Sequence, residues 1–410
     1  MGAGKTISPG TWNISYGNCP NDPAGMTKAG LSLAPYPTFP RLALLAMQVF
    51  SIREKKRRLI SDAPVVSKRP PSFAPLSPLC YNSLQDKEGA IMDQKQPIRG
   101  RFAPSPSGRM HLGNLFAALL AWLDVRSLGG EMVLRMEDLD PQRCKPAYLP
   151  QLAQDLLWLG LDWDTGWQPG DTAYTQSHRT AVYQTAFHRL EEQGLVYPCF
   201  CTRKELLAAS APHASDGARV YDGRCRRLSP QEKAALWASG RSPAWRVQVP
   251  AETVSFVDGN YGPQAQRLDR DCGDFILRRS DGVYAYQLAV AADDGAMGIT
   301  RVVRGWDLLS STPRQIWLLE QLGYPVPAYC HVPLLLAPDG RRLSKRDRDL
   351  DVGYLQAHST PEKVTGLLAW LAGLQPRPEP VQPRELIGDF AWTKVGAQDK
   401  VVDEAAWQAL

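Results

Sequence analysis

The feature that most constrains the fold is a succession of strand, turn, helix, strand and helix that begins near Ile98. After a short strand that enters RFAPS, apolar residues recur at three- and four-residue spacing and predict a helix from Leu112 to Leu128. EMVLRMED then predicts a buried strand, and PAYLPQLAQDLLWLG predicts a second helix. Because strands that alternate with helices are typical of a parallel sheet with right-handed crossovers, we expect an α/β fold with a doubly wound parallel sheet.

The turn RFAPSPSGRMHLGN (101–114) joins the first predicted strand to the first predicted helix. A helix that starts near Leu112, directly after a parallel strand, directs free backbone N–H groups and its positive end to the carboxyl edge of the sheet. Gly108 and Gly113 would let a nucleotide approach the backbone closely. His111 could donate a hydrogen bond to phosphate charge in a transition state. The turn therefore predicts an anion site, although a single His-x-Gly is also common in ordinary turns.

A second basic motif, RRLSKRD (341–347), follows some 230 residues later. Lys345 could neutralise a triphosphate, with Arg342 and Arg346 beside it. Alone, such a run is typical of a solvated loop. The two motifs together, flanking one α/β pattern, favour a nucleotide site.

Three of the eight cysteines, Cys199, Cys201 and Cys225, lie within 27 residues. Three thiolates so close together favour a tetrahedral zinc site in a reducing compartment over a disulfide scaffold. By chemistry alone the fourth ligand stays open, and His213 is the usual kind of donor. A cluster of reduced cysteines without metal is the alternative.

Charge and hydropathy exclude some classes of function. The net charge is +5, but it is unevenly distributed. Residues 1–97 hold 12 Lys/Arg and 6 Asp/Glu, so the rest of the chain holds 35 Lys/Arg and 36 Asp/Glu. The body therefore offers no basic stripe that would mark an RNA contact surface. The apolar stretch Leu42–Phe50 is too short to cross a bilayer, and its basic run follows it instead of preceding it as in a signal peptide. We expect a cytoplasmic monomer without membrane contact.

Residues 1–96 are rich in Pro, Ser and Gly and show no lasting apolar period. We expect a disordered extension, or an upstream start codon with Met92 as the true start. A regulatory or RNA-binding tail is the alternative.

The two motifs resemble the HIGH and KMSKS signatures of class I aminoacyl-tRNA synthetases, in the form found in glutamyl-tRNA synthetases. Further segments narrow the resemblance to a family of truncated paralogues that act on queuosine in tRNA(Asp): RGRFAPSPSG, LRMEDLDPQR, YTQSHR, CFCTRKEL, YDGRCR, YAYQLAVAADD and VRGWDLL. The resemblance extends from Ile98 to the C-terminal helix. It departs from the signatures where Asn114 replaces the last His, and where Arg342, Leu343 and Arg346 replace Lys, Met and Ser.

The resemblance implies a division of the chain into domains. A Rossmann-type catalytic domain would occupy 97–197 and 281–340, interrupted at 198–280 by a zinc-binding insert that resembles an acceptor-binding domain. The KMSKS-like loop and a short helical C-terminal region would fill 341–410, without an anticodon-binding domain.

The resemblance also implies the site residues. Glutamate binding is expected from the segment Arg101, Phe102, Ala103, Pro104 and Ser105, with Glu137, Tyr286 and Arg304. ATP binding is expected from His111, Gly113, Asn114 and Lys345, of which His111 and Lys345 are expected to be catalytic. One structural Zn²⁺ is expected on Cys199, Cys201, Tyr221 and Cys225, and Mg²⁺ is expected with ATP.

The implied reaction is the ATP-dependent activation of L-glutamate as glutamyl-adenylate, with release of pyrophosphate. Transfer to queuosine in the anticodon of tRNA(Asp) would then release AMP. Two alternatives stay open: an ordinary glutamyl-tRNA synthetase, which the 65 residues after Lys345 disfavour, and an inactive zinc-containing RNA-binding paralogue.

Overall fold

The computed structural model describes residues 97–202, 220–343, 351–408 and 410. The predictions for residues 1–96, His213, Lys345 and Arg346 therefore lie outside the described residues.

The strands of the described chain are β1 (Arg99–Phe102), β2 (Glu131–Leu134), β3 (Thr165–Gly166), β4 (Val196–Cys199), β5 (Ala244–Val247), β6 (Thr253–Asp258), β7 (Gly262–Arg267), β8 (Phe275–Arg278), β9 (Arg301–Gly305), β10 (Ala328–Val332), β11 (Leu335–Leu336) and β12 (Lys400–Val401). The helices are α1 (Leu112–Ser127), α2 (Tyr148–Trp158), α3 (Thr180–Glu192), α4 (Pro230–Ala238), α5 (Leu268–Asp271), α6 (Tyr286–Ala296), α7 (Thr312–Gln321), α8 (Val352–His358), α9 (Pro361–Leu371), α10 (Trp392–Val395) and α11 (Glu404–Gln408).

The main sheet has the strand order β3-β2-β1-β9-β10-β6-β7. Neighbouring strands are parallel except for β7, which pairs antiparallel with β6. The chain moves outward from β1 through β2 to β3, and later returns to place β9 and β10 on the other side of β1. This reversal creates a crevice at the carboxyl ends of β1 and β9, where ligands bind in open α/β sheets.

Alternating residues of the strands face two separate cores. In β2, Met132 and Leu134 pack into one core and Val133 into the other. Val303 and Val302 divide in the same way in β9. The first core includes residues of α1, α2 and α9, and the second includes residues of α3, α6 and α7. Helices therefore cover both faces of the sheet, and the expectation of an α/β fold with a parallel sheet is confirmed.

Helix α1 begins at Leu112, as the sequence predicts, and ends one residue before the predicted Leu128. Leu115, Leu119 and Leu123 are fully buried against the sheet. Gly129 follows the helix with a φ of 66°, a left-handed conformation that favours glycine and ends the helix.

The segment 198–280 contributes to two sheets. Strands β4, β5 and β8 form a separate three-stranded antiparallel sheet. The β6–β7 hairpin instead joins the main sheet, because Tyr329 of β10 pairs with Asp258 of β6. The domain boundaries drawn from the sequence stay a prediction.

Past residue 351 the chain folds back onto the sheet. Thr360 caps α9 by accepting the N–H of Lys363 at 3.4 Å, and Pro361 is the first residue of the helix. Strand β12 pairs in parallel with β11. Within the described residues, no helix is both long enough and apolar enough to cross a membrane.

Candidate active site

A cavity of about 570 Å³ opens at the carboxyl ends of β1, β9 and β10. All residues that the sequence assigns to glutamate or ATP, and that the structure describes, line this cavity: Arg101, Phe102, Ala103, Pro104, Ser105, Glu137, Tyr286, Arg304, His111, Gly113 and Asn114. Residues that are far apart in the sequence therefore meet in one place.

His111 forms the N-terminal cap of α1. Its Nδ1 accepts the backbone N–H of Gly113 at 3.1 Å, and its own backbone N–H donates to Oδ1 of Asn114 at 3.1 Å. Since Nδ1 is an acceptor, the neutral imidazole carries its proton on Nε2. Asn114, which departs from the signature, thus completes a reciprocal cap. A Cβ at Gly113 would lie 3.1 Å from the His111 ring, so this position favours glycine.

The turn before α1 is tied to the loop that follows β2. Gly108 has a φ of 141°, which L side chains rarely adopt. The N–H of Glu137 donates to the carbonyl of Pro104 at 2.9 Å, and that of Lys145 donates to the carbonyl of Pro106 at 3.1 Å. These bonds hold the turn open beside the N-terminus of α1, where backbone N–H groups favour an anion.

The two motifs of the sequence lie at the same cavity. Arg342, from the second motif, forms an ion pair with Asp307, and both residues line the cavity. Beyond the motif, the N–H of Val352 donates to the carbonyl of Met110 at 3.0 Å. Val352, which follows Lys345 by seven residues in the sequence, therefore contacts the first motif.

A buried ionic network lies below the cavity floor. Arg135 has no solvent exposure and donates to Asp294 at 2.6 Å and to Glu137 at 3.0 Å. Arg101 donates to the same Asp294 at 3.3 Å. Burial alone would raise the pKa of Asp294, but the charges of Arg101 and Arg135 outweigh it and lower the pKa. The network therefore keeps Asp294 ionised and fixes Arg101 and Glu137 in the cavity wall.

Glu137 is the carboxylate that this network presents to the cavity. Its side chain is 10% exposed. Burial raises its pKa, and the nearby charges of Arg135 and Arg101 oppose the rise only in part. A cationic ligand group would stabilise the ionised form, so this position suits an ammonium.

A second buried carboxylate, Asp293, anchors the YTQSHR segment. It accepts hydrogen bonds from Gln176 at 2.8 Å, Tyr183 at 2.9 Å and Arg179 at 2.6 Å. These bonds tie the segment before α3, and α3 itself through Tyr183, to α6, and thereby support the network at Asp294.

Arg304 differs from Arg101 and Arg135, which are buried beside carboxylates, because its own side-chain partners are neutral. It donates to Nε2 of His331 at 3.2 Å, to Gln315 at 2.6 Å and to Thr312 at 2.8 Å. Among the described residues, no carboxylate lies within ion-pair distance of it. Because Arg304 also lines the cavity, its positive charge is available to an anionic ligand there.

The predicted zinc ligands lie together at the end of β4. The Sγ atoms of Cys199, Cys201 and Cys225 all lie within 4.8 Å of one another, and those of Cys201 and Cys225 are 3.4 Å apart. The hydroxyl of Tyr221 lies 3.6 Å from the sulfur of Cys199 and 3.7 Å from that of Cys201. Ligands of tetrahedral zinc at Zn–S distances of about 2.3 Å would be separated by similar spacings, so this donor set fits the ion.

Electrostatics at the cysteine cluster favour one thiolate. Burial would raise the pKa of Cys199, but the charge of Arg246 and hydrogen bonds lower it. Burial and the contact with Cys225 raise the pKa of Cys201 to about 12. A second thiolate beside the first therefore needs a cation, which a metal ion would supply.

Sequence reasoning missed the residues that support the site, which are Arg135, Asp293, Asp294, Asp258, His331, Gln315 and Thr312. A signal was present for some of them, because Arg135 follows MVL and His331 lies within AYCHVPLLL. A charged or titratable residue in such an apolar run needs a buried partner. The sequence does not identify that partner.

Comparison with known proteins agrees with this geometry. Residues 97–402 match the family model described as tRNA synthetases class I (E and Q), catalytic domain. A glutamyl-Q tRNA(Asp) synthetase from Symbiobacterium thermophilum is 50% identical over 303 residues, which cover 72% of this chain and 93% of the relative. One of the same name from Nitratidesulfovibrio vulgaris is 50% identical over 295 residues, covering 71% and 91%.

Solved structures give the same result. A glutamate tRNA ligase from Elizabethkingia meningosepticum, in complex with its amino acid, superimposes with a TM-score of 0.66 at 28% identity, covering 77% of this chain and 69% of that one. A glutamate-tRNA synthetase from Elizabethkingia anophelis gives a TM-score of 0.67 at 28% identity, covering 77% and 70%. The chain therefore has a class I synthetase-like fold.

Proposed function

The chain is a ligase that belongs to the class I tRNA synthetase (E and Q) family, and on this premise we propose that it activates L-glutamate with ATP and transfers it to queuosine in tRNA(Asp). The observation that carries the proposal is the cavity in which residues of both sequence motifs meet Arg101, Arg304 and Glu137.

The charges of the cavity match those of glutamate. Arg304, without a carboxylate partner among the described residues, would bind one carboxylate of the substrate. Glu137 would hold the ammonium. Arg101 and Tyr286 line the same cavity and would complete the pocket with the segment 102–105.

The first step requires no covalent enzyme intermediate. An oxygen of the glutamate α-carboxylate would attack the α-phosphorus of ATP, and the bond to the β-phosphate oxygen would break and release pyrophosphate. The N-terminus of α1 and the Nε2–H of His111 would stabilise the phosphate charge that develops, and Lys345 would contribute a cation. Mg²⁺ would arrive with ATP and neutralise its polyphosphate.

The second step transfers the glutamyl group. A hydroxyl of queuosine in the anticodon of tRNA(Asp) would attack the activated carbonyl, forming an ester and releasing AMP. Support for this acceptor comes from the relatives, since two proteins that are 50% identical to this chain carry the name glutamyl-Q tRNA(Asp) synthetase. An ordinary glutamyl-tRNA synthetase would instead transfer to the 3′-terminal ribose.

The cysteine cluster would hold one structural Zn²⁺ through Cys199, Cys201, Cys225 and Tyr221. The ion would cross-link β4 to the turn at 221–225 and keep this part of the chain folded. No step of the reaction passes through it.

Glutamate-dependent ATP–pyrophosphate exchange by the full chain, without tRNA, tests the activation step. We expect exchange with L-glutamate and much less with L-glutamine, whose side chain lacks the second negative charge. No exchange in the absence or presence of tRNA would contradict the proposal and favour an inactive paralogue.

Transfer of labelled glutamate to tRNA(Asp) tests the acceptor. Two preparations that differ only in queuosine at the anticodon provide the matched control, and we expect label on the queuosine form alone. Label on tRNA(Glu) would favour the ordinary synthetase. Exchange that requires tRNA(Glu) would point the same way, because ordinary glutamyl-tRNA synthetases share that requirement.

A further inference from the structure

We propose that Asp258 and His331 are positioning residues that hold Arg304 ready for the carboxylate of the amino-acid substrate, an inference that rests on the proposed function. They form a hydrogen-bonded chain in which a carboxylate orients an imidazole and the imidazole orients the guanidinium. Neither residue lines the cavity or touches the reacting atoms.

The direction of each hydrogen bond in this chain is fixed by chemistry. Nε of Arg304 lies 3.2 Å from Nε2 of His331. An arginine only donates, so Nε2 of His331 must accept and its proton must lie on Nδ1. Nδ1 lies 2.6 Å from Oδ2 of Asp258, to which it donates. Only the neutral imidazole can serve both partners in this way.

Burial keeps the imidazole in this form. His331 and its partner Asp258 are 0% and 1% exposed. Burial and the charge of Arg304 lower the pKa of His331, although Asp258 opposes them. Burial would raise the pKa of Asp258, but the hydrogen bond from His331 and those from backbone N–H groups outweigh it and lower the pKa. The chain is therefore an ionised carboxylate, a neutral histidine and a charged arginine.

The backbone fixes Asp258 independently of His331. Its Oδ1 accepts the N–H groups of Asn260 at 3.0 Å and Tyr261 at 2.9 Å, in the turn between β6 and β7. It also accepts the backbone N–H of His331 at 3.2 Å. The carboxylate is thus a rigid anchor at the end of β6, on which the imidazole is oriented.

This arrangement explains how a buried arginine keeps its charge available. Arg304 is 6% exposed, and its guanidinium lies 5.4 Å from the centre of the Tyr329 ring. A carboxylate in direct contact would compensate the charge but compete with the carboxylate of a ligand. With a neutral histidine between them, Asp258 stabilises the cation of Arg304 from a distance. The position next to the guanidinium therefore stays available to the carboxylate of the substrate.

Most donors of Arg304 are used for orientation. Besides the bond to His331, it donates to Gln315 and Thr312, and to the carbonyl of Leu308 at 3.4 Å. Among the residues that the structure describes, these bonds use four of its five N–H groups and leave one on Nη1 for a ligand. An arginine held in this way loses little conformational entropy on binding.

The test compares kinetic constants for ATP–pyrophosphate exchange in the full chain. His331→Phe removes the acceptor and keeps an aromatic ring, and His331→Gln offers an amide oxygen as a substitute acceptor. We expect KM for glutamate to rise by about tenfold or more in His331→Phe while KM for ATP stays within about twofold. His331→Gln should recover most of the loss, and Asp258→Asn should fall between the two.

Cys330→Ala is the matched control for a loss of packing, because Cys330 lies next to His331 in β10 but faces the other core. It should lower thermal stability without changing KM for glutamate. If His331→Phe only lowers stability in the same way, or raises both KM values together, the role is structural and the inference is wrong. A His331→Gln variant as weak as His331→Phe would also overturn it.

The parent chain separates this inference from the proposed function. If the parent shows no glutamate-dependent exchange, the function itself fails and the inference fails with it. If the parent is active and His331→Phe leaves KM for glutamate unchanged, only the positioning role is overturned.

Discussion

The Nδ1 atom of His111 accepts the backbone N–H of Gly113 at 3.1 Å, so the histidine of the first motif is also the cap of helix α1. Nδ1 of this ring stabilises the helix, and Nε2–H is the donor that we propose for phosphate.

Two substitutions of His111 separate these functions. Asparagine is a good N-cap but lacks the imidazole donor, so His111→Asn should lower the exchange rate by about 10²–10³-fold with little loss of stability. His111→Ala should lower the exchange rate to the same extent and should also lower the free energy of unfolding by about 1 kcal/mol. Exchange kinetics and denaturant unfolding measure the two effects. Equal stability of both variants would show that the cap contributes nothing.

Lys345→Ala should lower the rate of glutamate activation by about 10²-fold or more, because it removes a cation that the triphosphate needs in the transition state. The fold should be unchanged by circular dichroism. Lys363→Ala, an exposed lysine of α9, is the matched control and should exchange as the parent does. Normal exchange in the Lys345 variant would refute its assignment to the ATP site.

Glutamate binding should weaken as the pH is lowered from neutral into the acidic range. Because burial raises the pKa of Glu137, its carboxylate takes up a proton at a higher pH than usual, and the protonated form cannot hold an ammonium. The pKa of the neighbouring Asp294 is lowered, so that group stays ionised in this range. KM for glutamate measured against pH gives the profile.

Glu137→Gln is the control for this profile. It should raise KM at every pH and flatten the dependence. Because the pKa of Glu137 is raised in the folded state, ionisation of this group lowers the free energy of unfolding as the pH rises through that pKa. The variant should therefore melt no lower than the parent at pH ~8. A lower melting temperature of Glu137→Gln would show that the ion pair with Arg135 stabilises the fold by more than burial of the Glu137 carboxylate destabilises it.

Removal of the metal should destabilise the protein. We expect about one zinc per chain by elemental analysis, and a fall of more than about 5 °C in melting temperature after chelation. Cys201→Ser should lose the metal, whereas Cys272→Ser, outside the cluster, should keep it. Parent protein purified without chelators that holds no metal would identify the cluster as reduced thiols.

The sequence predicts local structure well where the pattern and the packing coincide. Helix α1 is predicted to within one residue, because its apolar residues recur at helical spacing and the sheet buries them. Motif resemblance predicts eleven of the residues that line the cavity, and the fold brings these eleven together.

Long-range pairing lies beyond such patterns. TVSFVD predicts a strand, but nothing in its alternation indicates that β6 pairs with β10. His331 and Asp258 are 73 residues apart, and each alone is an ordinary polar residue at the end of an apolar run. Their hydrogen bond depends on the register between β6 and β10, which only the folded sheet provides.

The β6–β7 hairpin has a consequence for how the chain can be shortened. Its strands lie inside the segment expected to be an insert, yet they cover the edge of β10 and carry Asp258. Excision of 198–280 would leave an unpaired strand edge, which promotes aggregation, and would release the anchor of Arg304. A minimal fragment for activation must therefore retain this hairpin, so the catalytic unit and the cysteine-bearing unit cannot be separated by one cut at each end of the segment.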